Sequence, residues 1–274
     1  HEGSFVPVCM GSPINLQGVS NLLNDICGYF PSPDERERAG ILKSTSEIYQ
    51  ANYDFTKAKT ATVFKTMVDP FIGKYSLIKV CSGVIKSNDT MLDVDTDSEE
   101  KLNKLYVMVG NKPVEVPELH AGDIGAIAKL NAKTGDSLAT KAVPVMYGKP
   151  EISVPYTYKR YKAVNKGDVD KISQALSRMM QEDLTIRLEN DTLNHQTLLY
   201  GMGDQHLDII VSKLKERYKV DIELSKPKVA FRETIRKSSD VEGKYKKQSG
   251  GHGQYGHVKM KFEPSGDLSE PYVF

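Results

Sequence analysis

Apolar residues recur at helical spacing between positions 204 and 218. One face of this predicted helix carries four of them, Leu207, Ile210, Val211 and Leu214. Asp204 follows a glycine at the start of the pattern, where an N-cap carboxylate would accept hydrogen bonds from first-turn amides. After the helix, Val220, Ile222 and Leu224 alternate with polar residues, which predicts a half-buried strand.

The preceding segment predicts further strands and a second helix. Runs rich in β-branched and aromatic residues predict strands at 152–156, 184–188 and 197–200. Asp168 is placed to cap a helix whose apolar face is Val169, Ile172, Leu176 and Met179. The resulting order over residues 148–226 is β-α-β-β-α-β, that of a ferredoxin-like sandwich of two helices on one antiparallel sheet.

Short strands dominate residues 53–147. A run rich in β-formers spans 60–68, and shorter strands are predicted at 75–80, 83–85, 102–109, 114–116 and 124–130. Many short strands separated by Gly, Asn and Asp predict a closed or nearly closed antiparallel β-barrel. The polar segment 34–52 shows no period and is interpreted as a linker.

The two ends of the chain predict incomplete domains. Residues 1–33 offer one strand at 5–8 and one helix, with the apolar face Val19, Leu22, Leu23, Ile26 and Phe30. This is too little for a domain, so the segment is interpreted as the tail of one. After Pro227 a strand at 229–235 begins a further domain, 227–274. The predicted class is multidomain α+β.

Composition adds little to this picture. The chain has 274 residues, 39% hydrophobic and 27% charged, with a net charge of +1, as in soluble globular proteins. No apolar run approaches the roughly 20 residues that span a bilayer, and from the sequence we expect no signal peptide. Cys9, Cys27 and Cys81 lack metal-type spacing. We expect reduced, buried cysteines in a cytoplasmic monomer without a membrane partner or a metal.

Local charge is more informative between positions 227 and 261. This segment holds nine Lys or Arg and three acidic residues, as expected of an element that faces phosphates. It contains a glycine-rich stretch, Gly250, Gly251, His252, Gly253, Gln254, Tyr255, Gly256 and His257. Glycines permit close backbone approach, Tyr255 offers a ring for stacking, and Gln254 can read a base edge. The flanking lysines are candidate phosphate anchors, Lys244, Lys246 and Lys247. The alternative is a flexible structural hairpin.

Other candidates are interpreted as structural. An acidic cluster, Asp93, Asp95, Asp97, Glu99 and Glu100, lacks the glycine and the spacing of a calcium loop, and predicts a solvated hairpin. Gly201-Met202-Gly203 lacks the third glycine of a dinucleotide fingerprint. His206 is predicted to be a partly buried boundary residue. We assign no catalytic residue, because we interpret the chain as lacking both the phosphate loop Gly-x-x-x-x-Gly-Lys-Ser/Thr and the guanine-specifying motif Asn-Lys-x-Asp.

Three sequence segments occur in the order that is typical of one protein family, namely GMGDQHLDIIVSKL, KPKVAFRETIRKS and SGGHGQYGHV. Together with DPFIGKYSLIKVCSGVIKS and AGDIGAI, they closely resemble elongation factor G, the translocation GTPase of the ribosome. The resemblance implies a fragment with the end of the GTPase domain (1–33), a barrel domain II (53–147), a ferredoxin-like domain III (148–226) and an incomplete α+β arm, domain IV (227–274).

The resemblance also implies function. The fragment would bind the ribosome and promote translocation of tRNA and mRNA, with GTP and Mg²⁺ held by the intact parent and no cofactor in the fragment. The glycine-rich loop would enter the decoding region. Ser12 and Pro13 match a turn that contacts guanine in the family, but Pro13 lacks the amide donor. Two alternatives remain, a ribosome protection or recycling factor of the same superfamily and a free-standing RNA-binding module.

Overall fold

The computed structural model describes residues 6–69, 73–110, 112–231, 235–248, 250–251, 253–266 and 272–274. The chain divides into two compact units. The first consists of His1–Glu189 with Thr197–Lys226, and the second of Asn190–Gln196 with Pro227–Phe274. No helix among the described residues is long and apolar enough to cross a membrane.

The segment before residue 60 contains more regular structure than the sequence predicts. It holds helix α1 (Val19–Tyr29), a 3-10 turn (Pro33–Glu35) and strands β1 (Ala39–Leu42) and β2 (Ile48–Gln50). The α1 prediction is confirmed, although none of its residues is buried. The strand predicted at 5–8 is wrong for residues 6–8, which are irregular, and Phe5 lies outside the described residues. The linker interpretation of 34–52 is also wrong, because β1 pairs antiparallel with β2.

Among the described residues eleven strands follow: β3 (Thr60–Asp69), β4 (Gly73–Ser82), β5 (Val84–Lys86), β6 (Thr90–Asp93), β7 (Ser98–Lys101), β8 (Leu105–Val109), β9 (Lys112–Val116), β10 (Glu118–His120), β11 (Ile124–Ala128), β12 (Ser137–Ala139) and β13 (Val145–Met146). Eight form an antiparallel sheet in the order β7-β6-β12-β3-β4-β11-β8-β9. Two smaller sheets have the orders β10-β5 and β13-β1-β2.

The large sheet is barrel-like because side chains from strands far apart in its order share one core. Met91 on β6, Leu138 on β12, Ile78 on β4 and Leu105 on β8 belong to the same buried cluster. A flat sheet would keep such distant strands apart, so the predicted barrel-like architecture is confirmed. Its strand boundaries differ in places; the strand expected from 102 begins at Leu105.

The ferredoxin-like order is also confirmed. It comprises β14 (Thr157–Ala163), a 3-10 turn (Lys166–Asp168), α2 (Val169–Glu182), β15 (Arg187–Asp191), β16 (Gln196–Gly201), α3 (Asp204–Tyr218) and β17 (Ile222–Ser225). The four strands have the order β15-β16-β14-β17. Both helices place apolar residues in the core, where Leu176 and Leu207 are fully buried beside Leu199 of β16.

Three details of this domain differ from the sequence predictions. The strand expected at 152–156 begins instead at Thr157, after Pro155, whose missing N–H weakens any strand pairing. Asp204 is not the N-cap of α3, which is Gly203. The Asp204 carboxylate instead pairs with Lys159 at 2.8 Å. Asp168 is the N-cap of α2, but its side chain makes no capping hydrogen bond.

An ion pair joins the barrel-like domain to the ferredoxin-like domain within the first unit. Glu182, the last residue of α2, and Arg217 of α3 lie 2.9 Å apart. Glu182 Oε1 accepts the Val68 N–H at 2.7 Å, and Arg217 donates to the Val68 carbonyl at 2.8 Å. The pair thus satisfies both backbone groups of one residue on β3.

The second unit contains a long hairpin, β18 (Ser239–Lys247) and β19 (Gln254–Phe262). Its strands pair antiparallel through nine residue pairs, from Ser239 opposite Phe262 to Lys247 opposite Gln254. The strand predicted at 229–235 is wrong for residues 229–231 and 235, which are irregular, and 232–234 lie outside the described residues.

Candidate nucleic-acid interface

The β18–β19 hairpin has two chemically different faces, because side chains alternate along each strand. One face carries apolar residues, Val241, Tyr245, Val258, Met260 and Phe262, each between 42% and 55% exposed. The opposite face carries four cross-strand pairs: Asp240 with Lys261, Glu242 with Lys259, Lys244 with His257, and Lys246 with Tyr255. We call this second side the polar face.

Charge is unevenly distributed along the polar face. At the end remote from the loop, Glu242 accepts from His257 Nε2 at 2.5 Å and lies 3.6 Å from Lys259. Nearer the loop, Lys244 and Lys246 form no ion pair with any acidic side chain of the described residues. The part of this face closest to the loop is therefore cationic, which favours an anionic partner.

Tyr255 occupies this cationic part. Its ring is 63% exposed, and the Lys244 ammonium lies 5.9 Å from the ring centroid. The His257 ring makes an edge contact with Tyr255 at 6.5 Å between centroids. An exposed ring flanked by cations can stack on a base while the lysines contact phosphates.

The hairpin loop is shorter than the glycine-rich stretch. Gln254, Tyr255, Gly256 and His257 all belong to β19, so they are strand residues and not loop residues. Gly250 and Gly251 lie in the loop itself with φ of 67° and 70°, a left-handed conformation that favours glycine. His252 lies outside the described residues.

The register separates residues that the sequence groups together. Lys246 and Tyr255 point to the polar face, whereas Lys247 and Gln254 form the next cross-strand pair and point to the other side. All four residues are exposed. One flat ligand on the polar face can therefore contact Lys244, Lys246 and Tyr255 together, but not Gln254 and Lys247. Sequence reasoning also missed Glu242, whose partnership with His257 depends on cross-strand register.

Ser12 and Pro13 lie in an exposed turn before α1. The Ser12 N–H donates to the Gln17 carbonyl at 3.0 Å, and its hydroxyl accepts the Asn15 N–H at 3.4 Å. Pro13 offers no N–H to a ligand. These residues do not fit a guanine contact made through a backbone amide at position 13.

The interpretation that the chain lacks an Asn-Lys-x-Asp motif is wrong, because Asn165-Lys166-Gly167-Asp168 matches the pattern. In the structure these residues form the 3-10 turn before α2 in the ferredoxin-like domain. The Asp168 carboxylate accepts the side-chain amide of Asn165 at 3.3 Å and the ammonium of Lys171 at 3.5 Å. The pattern thus closes a local turn.

The acidic cluster is not a solvated hairpin throughout. Asp93 is 1% exposed and accepts hydrogen bonds from the Asp95 N–H and the Thr96 hydroxyl. Asp95 pairs with Lys149 at 2.8 Å. Glu100 is 5% exposed. Asp93 is thus held by its own turn, and Asp95 is held by a lysine from outside the hairpin. Among the described residues, no group of three or more His, Cys, Asp or Glu side chains could hold a metal ion.

The predicted burial of the cysteines is confirmed only for Cys81, whose pKa is raised by that burial. Cys9 and Cys27 are exposed. Cys27 lies on α1, none of whose residues is buried. All three are free thiols.

His206 is partly buried, as predicted, and its contacts give it a structural role. Its Nδ1 accepts the Met202 N–H at 3.0 Å, so the neutral ring carries its proton on Nε2, which lies 3.1 Å from Asp183. Burial of Asp183 opposes ionisation, but hydrogen bonds from Thr185 together with His206 outweigh it and lower the pKa of the Asp183 carboxyl. The His206–Asp183 pair fixes the turn into α3.

Comparison with known proteins matches successive segments of the chain to domains of one family. The family model "Elongation factor G domain 2" matches residues 58–141, "Elongation Factor G, domain III" matches 152–226, and "Elongation factor G, domain IV" matches 227–274. Among solved structures, the crystal structure of the protein ttk003000868 from Thermus thermophilus is similar, with a TM-score of 0.66 and 31% identity. The match covers 89% of this chain and 34% of that one, so this chain spans about a third of its relative.

Three domains of one family in sequence order define a polypeptide of the translation elongation factor class. The chain belongs to the elongation factor G family, and it carries domains II, III and IV. The β18–β19 hairpin lies within the segment matched by domain IV.

Proposed function

We propose that this chain is the ribosome-binding and translocating part of a translational GTPase that moves tRNA and mRNA during protein synthesis. The observation that carries the proposal is the polar face of the β18–β19 hairpin, where Tyr255 is exposed beside Lys244 and Lys246 in a segment matched by domain IV. In this role the lysines contact phosphates and Tyr255 stacks on an RNA base.

GTP hydrolysis and its Mg²⁺ belong, in this proposal, to a GTPase domain of the intact protein. The 274 residues contain no phosphate loop, and Pro13 cannot supply an amide to guanine. In this proposal the 274 residues neither bind nor hydrolyse GTP, and by themselves they would catalyse no reaction.

The test uses the natural polypeptide that carries this sequence, with all its flanking sequence, on programmed ribosomes. Tyr255→Ala should slow single-round translocation, measured by the change of a fluorescent mRNA on movement, while ribosome-stimulated GTP hydrolysis stays near the wild-type rate. The hairpin would then act after the nucleotide step. The matched control is Tyr272→Ala, another exposed tyrosine of the second unit. Equal loss of GTP hydrolysis and translocation in Tyr255→Ala would refute this role.

A second measurement separates phosphate contacts from base contacts. Replacing Lys244 and Lys246 together by Gln should weaken ribosome association and reduce its salt dependence by up to about two counterions. Replacing Lys213 and Lys215, exposed on α3, provides the charge-matched control. An unchanged salt slope in the Lys244/Lys246 variant would remove the lysines from the phosphate-binding role.

A further inference from the structure

The ferredoxin-like sheet has a second face whose residues the domain core does not use. Side chains on alternate positions, including Tyr161 of β14, Leu199 of β16 and Leu224 of β17, pack in the core with α2 and α3. The intervening positions point to the other side of the sheet. We call that side the outer face.

Three outer-face residues form a continuous stack across three neighbouring strands. Tyr158 of β14 lies directly opposite Tyr200 of β16, and their rings stack with centroids 4.9 Å apart and an angle of 30° between planes. The Arg187 guanidinium of β15 lies 4.2 Å from the Tyr200 ring centroid. The order of the stack is therefore Arg187, Tyr200, Tyr158. Its two ends remain accessible: Tyr158 is 43% exposed, and the Arg187 side chain is 53% exposed.

Further outer-face residues carry charges of both signs. Arg160 and Lys162 continue along β14 from Tyr158, and Arg160 donates to the Ser225 hydroxyl at 3.1 Å. Glu189 pairs with Arg187 at 3.1 Å, and Glu223 lies opposite Lys162. The positive charges exceed these two acids by one. Because Arg160 and Lys162 follow Tyr158 on the same strand, a chain of phosphates can run past the free end of the stack.

Cross-strand aromatic pairs also stabilise sheets, so stacking alone does not indicate a ligand. Two features go beyond that role. Tyr158 and Tyr200 lie on the two central strands of a four-stranded ferredoxin-like sheet, the surface on which RNA-recognition modules stack unpaired bases. In addition, Tyr158, the outermost residue of the stack, is 43% exposed beside two cations on its own strand, although burial would stabilise the sheet more.

We propose that the outer face of the ferredoxin-like domain binds a short single-stranded RNA segment, with an unpaired base stacked on Tyr158 and phosphates near Arg160 and Lys162. The stack fixes the Tyr158 ring, since Tyr200 and Arg187 support it from behind. This site lies in a different domain from the hairpin, and it does not depend on the function proposed for the hairpin.

The experiment measures fluorescence anisotropy of a labelled ten-nucleotide oligouridine with the 274-residue chain. Lys244, Lys246 and Lys247 are replaced by Gln in every sample, so that binding by the hairpin does not mask the outer face. Tyr158→Leu keeps an apolar cross-strand partner for Tyr200 but removes the stacking ring, and it should weaken binding about fivefold or more. Tyr158→Phe should bind within twofold of the parent. Tyr156→Ala, at a tyrosine 73% exposed just outside the strand, is the matched control.

Circular dichroism melting establishes that each variant is folded. A second variant, Arg160→Gln, leaves the stack of Arg187, Tyr200 and Tyr158 intact. Arg160→Gln should weaken binding and lower its salt dependence by about one counterion. The proposal is overturned if Tyr158→Leu binds like the parent, because the stack would then serve sheet stability or a protein contact. It is also overturned if Tyr156→Ala weakens binding equally, or if a duplex of the same length binds as tightly as the single strand.

Discussion

The contact between the barrel-like and ferredoxin-like domains predicts a large effect for Glu182→Ala. Glu182 accepts the Val68 N–H at 2.7 Å and two hydrogen bonds from Arg217, at 2.9 and 3.2 Å. Removing the carboxylate takes this acceptor from the Val68 amide and removes the Glu182 contacts of Arg217. The same change leaves the hydrogen bond from Arg217 to the Val68 carbonyl in place. The variant therefore loses the bond to the Val68 N–H but keeps the bond to the Val68 carbonyl.

The magnitude follows from burial. Val68 is only 8% exposed, so water replaces the lost acceptor poorly, and an unsatisfied buried amide costs about 1–3 kcal/mol. The Arg217 and Glu182 side chains are 33% and 18% exposed, so solvent screening limits their ion pair to about 1 kcal/mol. Together these losses predict about 2–4 kcal/mol of unfolding free energy. Glu182→Gln keeps an acceptor oxygen, so it should cost about 1 kcal/mol.

The assay is urea denaturation of the 274-residue chain, followed by circular dichroism and by limited proteolysis between the two domains. Glu216→Ala, an exposed glutamate on α3, is the matched control and should stay within about 0.5 kcal/mol of the parent. A double-mutant cycle with Arg217→Ala should show coupling, because both residues hold Val68. If Glu182→Ala and Glu216→Ala were equally mild, the contact would not join the domains energetically.

Three further predictions concern the core, pH and nucleotide. Leu207→Asp should lower the free energy of unfolding by several kcal/mol, because Leu207 is fully buried and an unpaired carboxylate there cannot be solvated. The measurement is a thermal melting curve of the variant beside that of the parent chain. The lowered pKa of Asp183 means that its stabilisation is complete above the unfolded-state value of about 4 and is lost as pH falls through the folded value. Asp183→Asn should therefore lower stability at pH 7 and flatten the acid limb of a stability–pH profile. Calorimetry should detect no saturable GTP binding, because the chain has no phosphate loop.

Much of the fold follows from local pattern, where burial and periodicity agree. Spacing alone predicts the apolar face of α3, and Leu207, Ile210 and Leu214 are buried. The error at β14 has a local cause: the apolar run at 152–156 contains Pro155, which has no N–H for strand pairing, and the strand forms only from Thr157 onward.

Features that depend on long-range partners were not predictable from pattern. The acids of the 93–100 hairpin resemble a solvated surface in sequence, but Asp95 meets Lys149, which lies on a distant part of the chain. The Val68 contact joins residues of three separate segments. The pairing of Glu242 with His257 requires a register that local sequence does not specify.

Register also decides how the hairpin can act. Antiparallel sheets generally pack one face and leave the other to solvent, and the face with Val241, Val258 and Met260 is the one suited to packing. In the proposed function the polar face, to which Tyr255 belongs, is the side that would meet RNA. Gln254 points to the opposite side at the loop end, so it could not read a base that stacks on Tyr255 as proposed. The two residues must therefore serve different contacts, and their substitutions need not have equal effects on translocation.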